Sequence, residues 1–425
     1  MTSLTVHPAT GGLQGRLRVP GDKSISHRAL LLSALAPGTS RITGLSNGAD
    51  VAATRRAVEA FGARTASEGG VVLVHGGERH EPTTVVDVGN SGTAIRLLAG
   101  WAAGLDGLSV LYGDDSIASR PMGRVVAPLR AMGARIDGRR RGELPPLVIR
   151  GGGLRGIDYQ LPVPSAQVKG AVLLAGLTAD GPTTVREQIP TRTHTEQMLA
   201  ACGAEVQIDA SSVTVQPGPV GPVDWDVPGD PSQAAFWVVA ACLVPGSDLT
   251  VERVYVGPQR AGFIEVLQRM GADVELLDPD PATTVADIRV RAGALCATDV
   301  GGSEVPGLID EIPVLAVAAA AATGTSTFAD AAELKVKESD RIESMVGALG
   351  AVGARIEGRP DGLVVHGTGR PLAAGAVDAR GDHRVAMALA VAALASSGPV
   401  RIEGWEAVAT SYPAFEEDLR RCQSH

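Results

Sequence analysis

The stretch APGTSRITGLSNGADVAATRRAVEAFGA, Ala36–Ala63, reads as a Gly-marked turn, a short β-rich run, an amphipathic helix and a closing Gly-Ala. The same phrase returns as LDGLSVLYGDDSIASRPMGRVVAPLRAMGA ending at Gly133, and as ADGPTTVREQIPTRTHTEQMLAACGA ending at Gly203. It returns again as VPGSDLTVERVYVGPQRAGFIEVLQRMGA ending at Gly271 and ATGTSTFADAAELKVKESDRIESMVGALGAVGA ending at Gly353. SSGPVRIEGWEAVATSYPAFEEDLRRC closes the chain. The period is about 70 residues, longer than solenoid repeats, so the copied object is a small subdomain.

Between these phrases lies a second recurring block: an alternating strand, a polar loop and an Ala/Leu-rich helix. The loops are PGDKSISHR, GNSGTAIR, PSAQVKG, GDPSQAA, DEIP and GDHRVAM. Each unit therefore reads strand–helix–strand–helix, followed by two strands such as RIDG…PLVIRG or RIEG…GLVVHG. The loop-started helices are apolar nearly all round and are expected inside. The helices closed by Gly-Ala carry charges such as Arg55, Arg56 and Glu59 and are expected outside. Three units around three buried helices make one domain, and six make two. The expected division is 1–18 plus 229–425 as a discontinuous domain and 19–228 as an inserted one.

The first of the loops poses a chemical question. VPGDKSISHRALLLSALA, Val19–Ala36, crowds Lys23, Ser24, Ser26, His27 and Arg28 into the turn that opens a helix. The helix dipole disfavours cations there unless an anion sits between them. Exposed N–H groups, hydroxyls and basic side chains together make an anion site. On this stretch alone a capped helix start with two solvated basic residues is an equal alternative. Across the whole repeat, most of the loop-started helix N-termini are polar or basic, and their convergence would form a deep anion cleft between two lobes.

Composition narrows the partners. The 425 residues carry a net charge of −9 and only 3% aromatics, which argues against non-specific nucleic-acid binding and base-stacking surfaces. A local basic cleft for a small anionic substrate remains compatible with an acidic chain. Cys202, Cys242, Cys296 and Cys422 are far apart and form no CxxC pair, so idle thiols of a reducing compartment are expected. The start MTSLTVHPATGG has no basic-then-apolar signal. The run IPVLAVAAAAATG from Ile312 is too short to cross a bilayer and reads as a core helix. A soluble, cytoplasmic enzyme without membrane attachment is the expectation. The eight His residues show no metal spacing, and no GxxxxGK[ST] loop is present.

Three further motifs add cations: RPMGRV from Arg120, KVKESDR from Lys335 and DHR from Asp382. KESDR is expected to place Lys337 and Arg341 at i, i+4 on one helix face, with Glu338 beside them. Taken singly, KESDR reads equally as an exposed, salt-bridged helix start, and DHR as a capping Asp with solvated neighbours. Taken in order, PGDKSISHR, GNSGTAIR, RPM, SAQVK, KESDR and DHRVAM resemble the 5-enolpyruvylshikimate-3-phosphate (EPSP) synthase family of enolpyruvyl transferases, from about Leu13 to Leu419. The sister family acting on UDP-N-acetylglucosamine carries a reactive Cys in the loop that here reads YGDDSIASRPM.

The resemblance implies an α/β fold: a two-domain inside-out α/β barrel, each domain three βαβαββ units around buried parallel helices, with the active site in the cleft between them. It implies transfer of the enolpyruvyl group of phosphoenolpyruvate to the 5-hydroxyl of shikimate 3-phosphate through a tetrahedral ketal, on the route to chorismate and aromatic amino acids. It also implies a likeness in site residues. Lys23, Ser24, Arg28, Ser165, Ala166, Gln167, Thr191, Asp310 and Lys337 would hold shikimate 3-phosphate. Lys23, Gly92, Arg120, Gln167, Arg341 and Arg384 would line the phosphoenolpyruvate pocket. Asp310, Glu338 and Lys23 would carry the acid–base chemistry. No metal or organic cofactor is expected, and a monomer suffices.

The chemistry explains these residue types, because both substrates bear a phosphate and a carboxylate, which Arg engages through forked contacts. The chain departs from the family pattern at three places: Ala166 stands for a second Ser, Thr191 for a Ser, and Thr410 near the place of a Lys before the Ser–aromatic–Pro run. A paralogue using another acceptor, and a silent anion-binding protein, are the competing readings. The retained trio Asp310, Glu338 and Lys23 argues against the second.

Overall fold

In the computed structural model, which describes residues 2–423, the chain divides into two compact units. One comprises Met1–Pro20 with Pro228–His425 and the other Gly21–Val227. The changeovers thus fall at 20/21 and 227/228, where the sequence reading put 18/19 and 228/229.

The repeating Gly-Ala has a physical cause. Gly62, Gly133, Gly203, Gly271 and Gly353 all have positive φ, between 78° and 116°. Each sits two residues past the last residue of an outer helix, directly after its C-cap, the position where a left-handed residue stops the helix without a Cβ clash. The following Ala N–H donates to a carbonyl five residues back: Ala63 to Val58, Ala134 to Leu129, Ala204 to Leu199, Ala272 to Leu267 and Ala354 to Leu349. This is one Schellman closure used five times. It turns the chain straight into the next strand.

Five sheets have four strands and share one pattern: a parallel pair followed by two antiparallel neighbours. In the second unit of the inserted domain, Val86–Asp87 runs parallel to Leu108–Tyr112, which pairs antiparallel with Leu144–Arg150, which pairs antiparallel with Arg135–Gly138. The helix Gly92–Ala103 joins the parallel pair, and Gly123–Ala131 follows. Two sheets borrow their parallel strand from a distant part of the chain. Trp225–Asp226 lies beside Gly38–Thr43, and Gln14–Leu17 beside Asp248–Tyr255.

The sixth unit corrects the expected pattern. Among the described residues its sheet has three strands, Gly375–Asp378, Val400–Glu403 and the N-terminal Ser3–Val6. Ser3–Val6 pairs antiparallel with Val400–Glu403, Ser3 opposite Glu403 and Val6 opposite Val400.

The loop-started helices are the inner ones. In the unit holding 228–425, Pro231–Leu243, Ile312–Ala321 and His383–Leu394 pack on one another. Every residue from Ile312 to Ala320 is buried, as expected of the IPVLAVAAAAATG run. In Gly21–Val227, Lys23–Leu35 packs on Gly92–Ala103, which packs on Ala166–Gly176. The last two helices approach so closely that a Cβ on Gly100 would lie 1.9 Å from the Ala171 carbonyl oxygen. The outer helices keep Arg56 and Glu59 exposed. Each unit has its own apolar core. Among the described residues no helix is long and apolar enough to cross a membrane.

Candidate active site

Helix N-termini position the candidate residues of Gly21–Val227. Asp22 caps Lys23–Leu35, its carboxylate accepting from the Ile25 N–H. Ser91 caps Gly92–Ala103 and Ser165 caps Ala166–Gly176, each through its hydroxyl. These caps aim Lys23, Gly92, Ala166 and Gln167 at the first turns, where backbone N–H groups and the dipole favour anions.

The opening motif splits its labour. Ser26 and His27 turn inward: the Ser26 hydroxyl accepts from the Ser46 N–H at 3.0 Å, and His27 Nδ1 lies 2.7 Å from the Thr54 hydroxyl. Burial, together with the Lys23 and Arg28 cations, holds the His27 pKa well below the usual imidazole range, so it stays neutral. Lys23 pairs with Asp50 at 3.0 Å. Arg28 is buried, donating from Nε to the Thr195 hydroxyl at 2.7 Å and from Nη1 to the Ser24 carbonyl at 3.0 Å. Neither base is a solvated surface residue, which removes the alternative left open by the sequence.

Gln167 ties two of the helix starts together. Its Oε1 accepts from Arg96 Nη1 at 2.8 Å, and its Nε2 donates to the Thr93 hydroxyl at 2.9 Å. Arg96 also donates to the carbonyls of Gly92 and Pro121. Arg120 is buried near the same helix start: a Cβ on Gly92 would lie 3.1 Å from Arg96 Nη1 and 3.9 Å from Arg120 Nη1. The Thr191 hydroxyl donates to Glu187, whose other oxygen meets Lys169. Gly21–Val227 therefore gathers Gly92, Arg120, Ser165, Ala166 and Gln167 at neighbouring helix starts, with Lys23, Ser24 and Arg28 on the adjoining one.

The unit holding 228–425 gathers its residues more tightly. Asp310 Oδ1 accepts from Lys337 Nζ and from Arg341 Nη1, both at 3.3 Å. Its Oδ2 lies 3.7 Å from Arg384 Nη2, and its carbonyl accepts from Arg384 Nη1 at 3.3 Å. Arg341 donates from Nη2 to Glu338 and from Nε to Asp382 Oδ2 at 2.8 Å. Asp310, Lys337, Glu338, Arg341 and Arg384 thus form one connected cluster, with the Asp310 carboxylate as its hub.

The KESDR geometry differs from the expected i, i+4 face. Asp340 caps the helix Arg341–Ala351 with its carboxylate, accepting from the Ile342 and Glu343 N–H groups. The helix therefore begins only at Arg341, and Lys337 lies before it in extended backbone. Lys337 and Arg341 meet through Asp310, not through helical spacing. Nor is this an exposed helix start, since Arg341 is 1% exposed. In DHR, Asp382 does cap His383–Leu394, but its neighbours His383 and Arg384 are buried too.

Electrostatics follow from this packing. Burial opposes the Arg341 charge, yet Asp382, Glu338 and Asp310 together overcome it and raise its pKa. For Lys337 burial dominates, with Arg341 acting in the same sense. The pull of Asp310 and Glu338 does not offset them, and its pKa falls below the ordinary lysine value.

Sequence reasoning missed several members. Asp382 was read only as a cap, although its carboxylate also orients Arg341. Asp50, Arg96 and the ion group Lys169, Glu187 and Glu196 were not assigned. A signal existed for two of them: a fixed charge on a helix that is apolar all round must be paired. The GDPSQAA helix start is closed internally, since Arg260 donates to Asp230 at 2.7 Å and to the Ser232 hydroxyl at 3.1 Å.

Comparison with known proteins identifies the family. The family model for EPSP synthase (3-phosphoshikimate 1-carboxyvinyltransferase) matches residues 8–419. A 3-phosphoshikimate 1-carboxyvinyltransferase of Shouchella clausii is 47% identical, covering 98% of both chains, and one of Gloeobacter violaceus is 50% identical, covering 96% of both. A solved EPSP synthase from Acinetobacter baumannii superposes with a TM-score of 0.87 at 40% identity, covering 99% of this chain and 98% of that one. The enolpyruvyl transferase NikO of Streptomyces tendae shares the fold, with a TM-score of 0.80 at 19% identity over 99% of this chain and 97% of that one. Matched over nearly its whole length in both sequence and two-domain α/β fold, the chain belongs to the EPSP synthase family.

Proposed function

We propose that this chain carries out the reaction of its family, joining the enolpyruvyl group of phosphoenolpyruvate to the 5-hydroxyl of shikimate 3-phosphate and releasing phosphate. The observation that carries the reading is the cluster around Asp310, where Lys337, Arg341 and Arg384 meet one carboxylate and Arg341 also holds Glu338. Such a set can bind phosphate and carboxylate groups and move protons beside them.

In the addition step the 5-hydroxyl oxygen bonds to C2 of phosphoenolpyruvate, the hydroxyl loses its proton and C3 gains one. In the elimination step C3 loses a proton, the C2–O bond to phosphate breaks and phosphate leaves. Asp310 accepts the hydroxyl proton. Substrate anions compete for the same three cations, which releases the Asp310 carboxylate for this task. Glu338, oriented by Arg341, delivers and then removes the C3 proton, and Lys23 neutralises the departing phosphate. Arg120, Arg341, Arg384, Gln167 and Gly92 accommodate phosphoenolpyruvate. Ser24, Arg28, Ser165, Ala166, Gln167, Thr191 and Lys337 hold shikimate 3-phosphate. The chain acts as a cytoplasmic monomer on small-molecule substrates, without membrane partners, and its net charge of −9 supports the absence of a nucleic-acid partner.

The test is phosphate release from phosphoenolpyruvate by purified protein, with shikimate 3-phosphate and UDP-N-acetylglucosamine offered as separate acceptors. Release with shikimate 3-phosphate alone is expected. Release with neither, or only with the nucleotide sugar, would reject the reading.

A further inference from the structure

The buried helix Ala166–Gly176 carries one fixed charge, Lys169. Lys169 is 1% exposed, and its Nζ lies 2.7 Å from Glu187 Oε2 and 2.8 Å from Glu196 Oε1. Burying an ammonium with two carboxylates is costly, and removing one partner leaves an uncompensated charge inside. The proposed reaction does not use Lys169, so the group needs another reason.

The partners supply one. Glu187 follows the strand Thr183–Arg186, and Glu196 lies in the helix His194–Ala201. Between them runs a segment without regular structure, 187–193, which carries Thr191. The Thr191 hydroxyl donates to the carboxylate of Glu187 that Lys169 grips. Next to Glu196, the Thr195 hydroxyl accepts from Arg28 Nε at 2.7 Å. Lys169 itself lies one turn beyond the helix start that presents Ser165, Ala166 and Gln167, and its N–H donates to the Ser165 carbonyl at 3.0 Å. One ammonium thus joins the helix start to the two ends of the loop, and through them reaches Thr191 and Arg28.

We infer that Lys169 is a positioning residue for shikimate 3-phosphate: through Glu187 and Glu196 it sets Thr191 and Arg28 relative to the Ser165–Gln167 turn. The inference rests on the proposed reaction, in which these residues hold that substrate. It assigns Lys169 no contact with phosphoenolpyruvate and no part in proton transfer.

The test pairs two variants. Lys169→Met with Glu196→Gln removes the pin while keeping the net charge of the group at −1, which protects folding. Thr191→Val removes only the hydroxyl at the end of the chain of contacts. Calorimetric titration of shikimate 3-phosphate, run beside steady-state kinetics on full-length protein, gives its Kd separately from turnover. The double variant is expected to raise Kd and KM for shikimate 3-phosphate about tenfold, with KM for phosphoenolpyruvate within about twofold of the parent. Adding Thr191→Val to it should change Kd by no more than about twofold further, because the two share one route. A lowered melting temperature with unchanged Kd, or an equal rise in both KM values, would show a purely structural role and overturn the inference. Turnover by the unaltered protein tests the reaction itself, and the variant-to-parent Kd ratio tests the pin. Failure of the unaltered protein to bind shikimate 3-phosphate would overturn both.

Discussion

The two units treat charge differently. In Gly21–Val227 most of the candidate residues sit at helix starts, Gln167 and Thr195 engage the cations Arg96 and Arg28, and carboxylates enter singly, Asp50 on Lys23 and Glu187 on Thr191. In the unit holding 228–425, three cations face three carboxylates within one connected cluster around Asp310 and Arg341. Under the proposed reaction, the first unit supplies anion-receiving groups and the second adds the proton-carrying Asp310 and Glu338 to its anion-receiving cations. The repeat sets where side chains point, and a few substitutions at the loop-started helices set what they do.

The sharpest way to break this contrast is Glu338→Gln. If the Asp310 cluster manages protons, kcat falls about 1,000-fold while binding of shikimate 3-phosphate is retained. Rapid-quench turnover with direct titration of the acceptor reads both. Next comes Asp382→Asn. Asn preserves the helix cap but removes the negative charge that faces Arg341, leaving a buried guanidinium short of one partner. A loss of about 3 kcal/mol in stability is expected, because Glu338 and Asp310 still face the guanidinium. Urea denaturation measures it, and a loss under half that size would mean the pair is not what orients Arg341.

On the other unit, Gly92→Ala adds a Cβ 3.1 Å from Arg96 Nη1, a distance at which the guanidinium must give way. The KM for phosphoenolpyruvate, and the inhibition constant of a compact phosphonate competing with it, should each rise about tenfold. Unchanged inhibition would remove Gly92 from the pocket. The smallest effect is the pH dependence of Lys337. Burial lowers its pKa in the folded state below the ordinary value of 10.5. Between those two values the unfolded chain binds more protons than the folded one, so the Lys337 contribution to stability rises with pH across that window. The stability difference between the parent and Lys337→Met should shift in the parent's favour from pH 8 toward pH 10.5, as read by thermal melts. A shift in the other direction would contradict the assigned burial.

Much of this was legible before any coordinates. The Gly-Ala repeat revealed the units because a Schellman closure needs a glycine at a fixed place, and a fixed place leaves a period in the sequence. The inner helices declared themselves by being apolar on every side. The sixth sheet was misread because its third strand comes from Ser3–Val6, nearly the whole chain length away, and a pairing between distant segments leaves no local mark. The phase of KESDR was misread because Asp340, the motif's penultimate residue, takes the cap and delays the helix to Arg341. Asp382 and Lys169 escaped assignment for a common reason. Their caps and helices are local, but the charges they hold in place, Arg341 and Glu196, lie 41 and 27 residues away.

The contrast between the units is tested most directly by the reaction run in deuterated water with phosphoenolpyruvate, shikimate 3-phosphate and either the parent or Glu338→Gln. The parent should return product and unreacted phosphoenolpyruvate carrying deuterium at C3, because that carbon gains and loses a proton at the enzyme. Glu338→Gln should bind shikimate 3-phosphate as tightly as the parent and introduce no deuterium. Deuterium entering C3 at the parental rate in Glu338→Gln would contradict the account, placing the proton chemistry outside the Asp310 cluster.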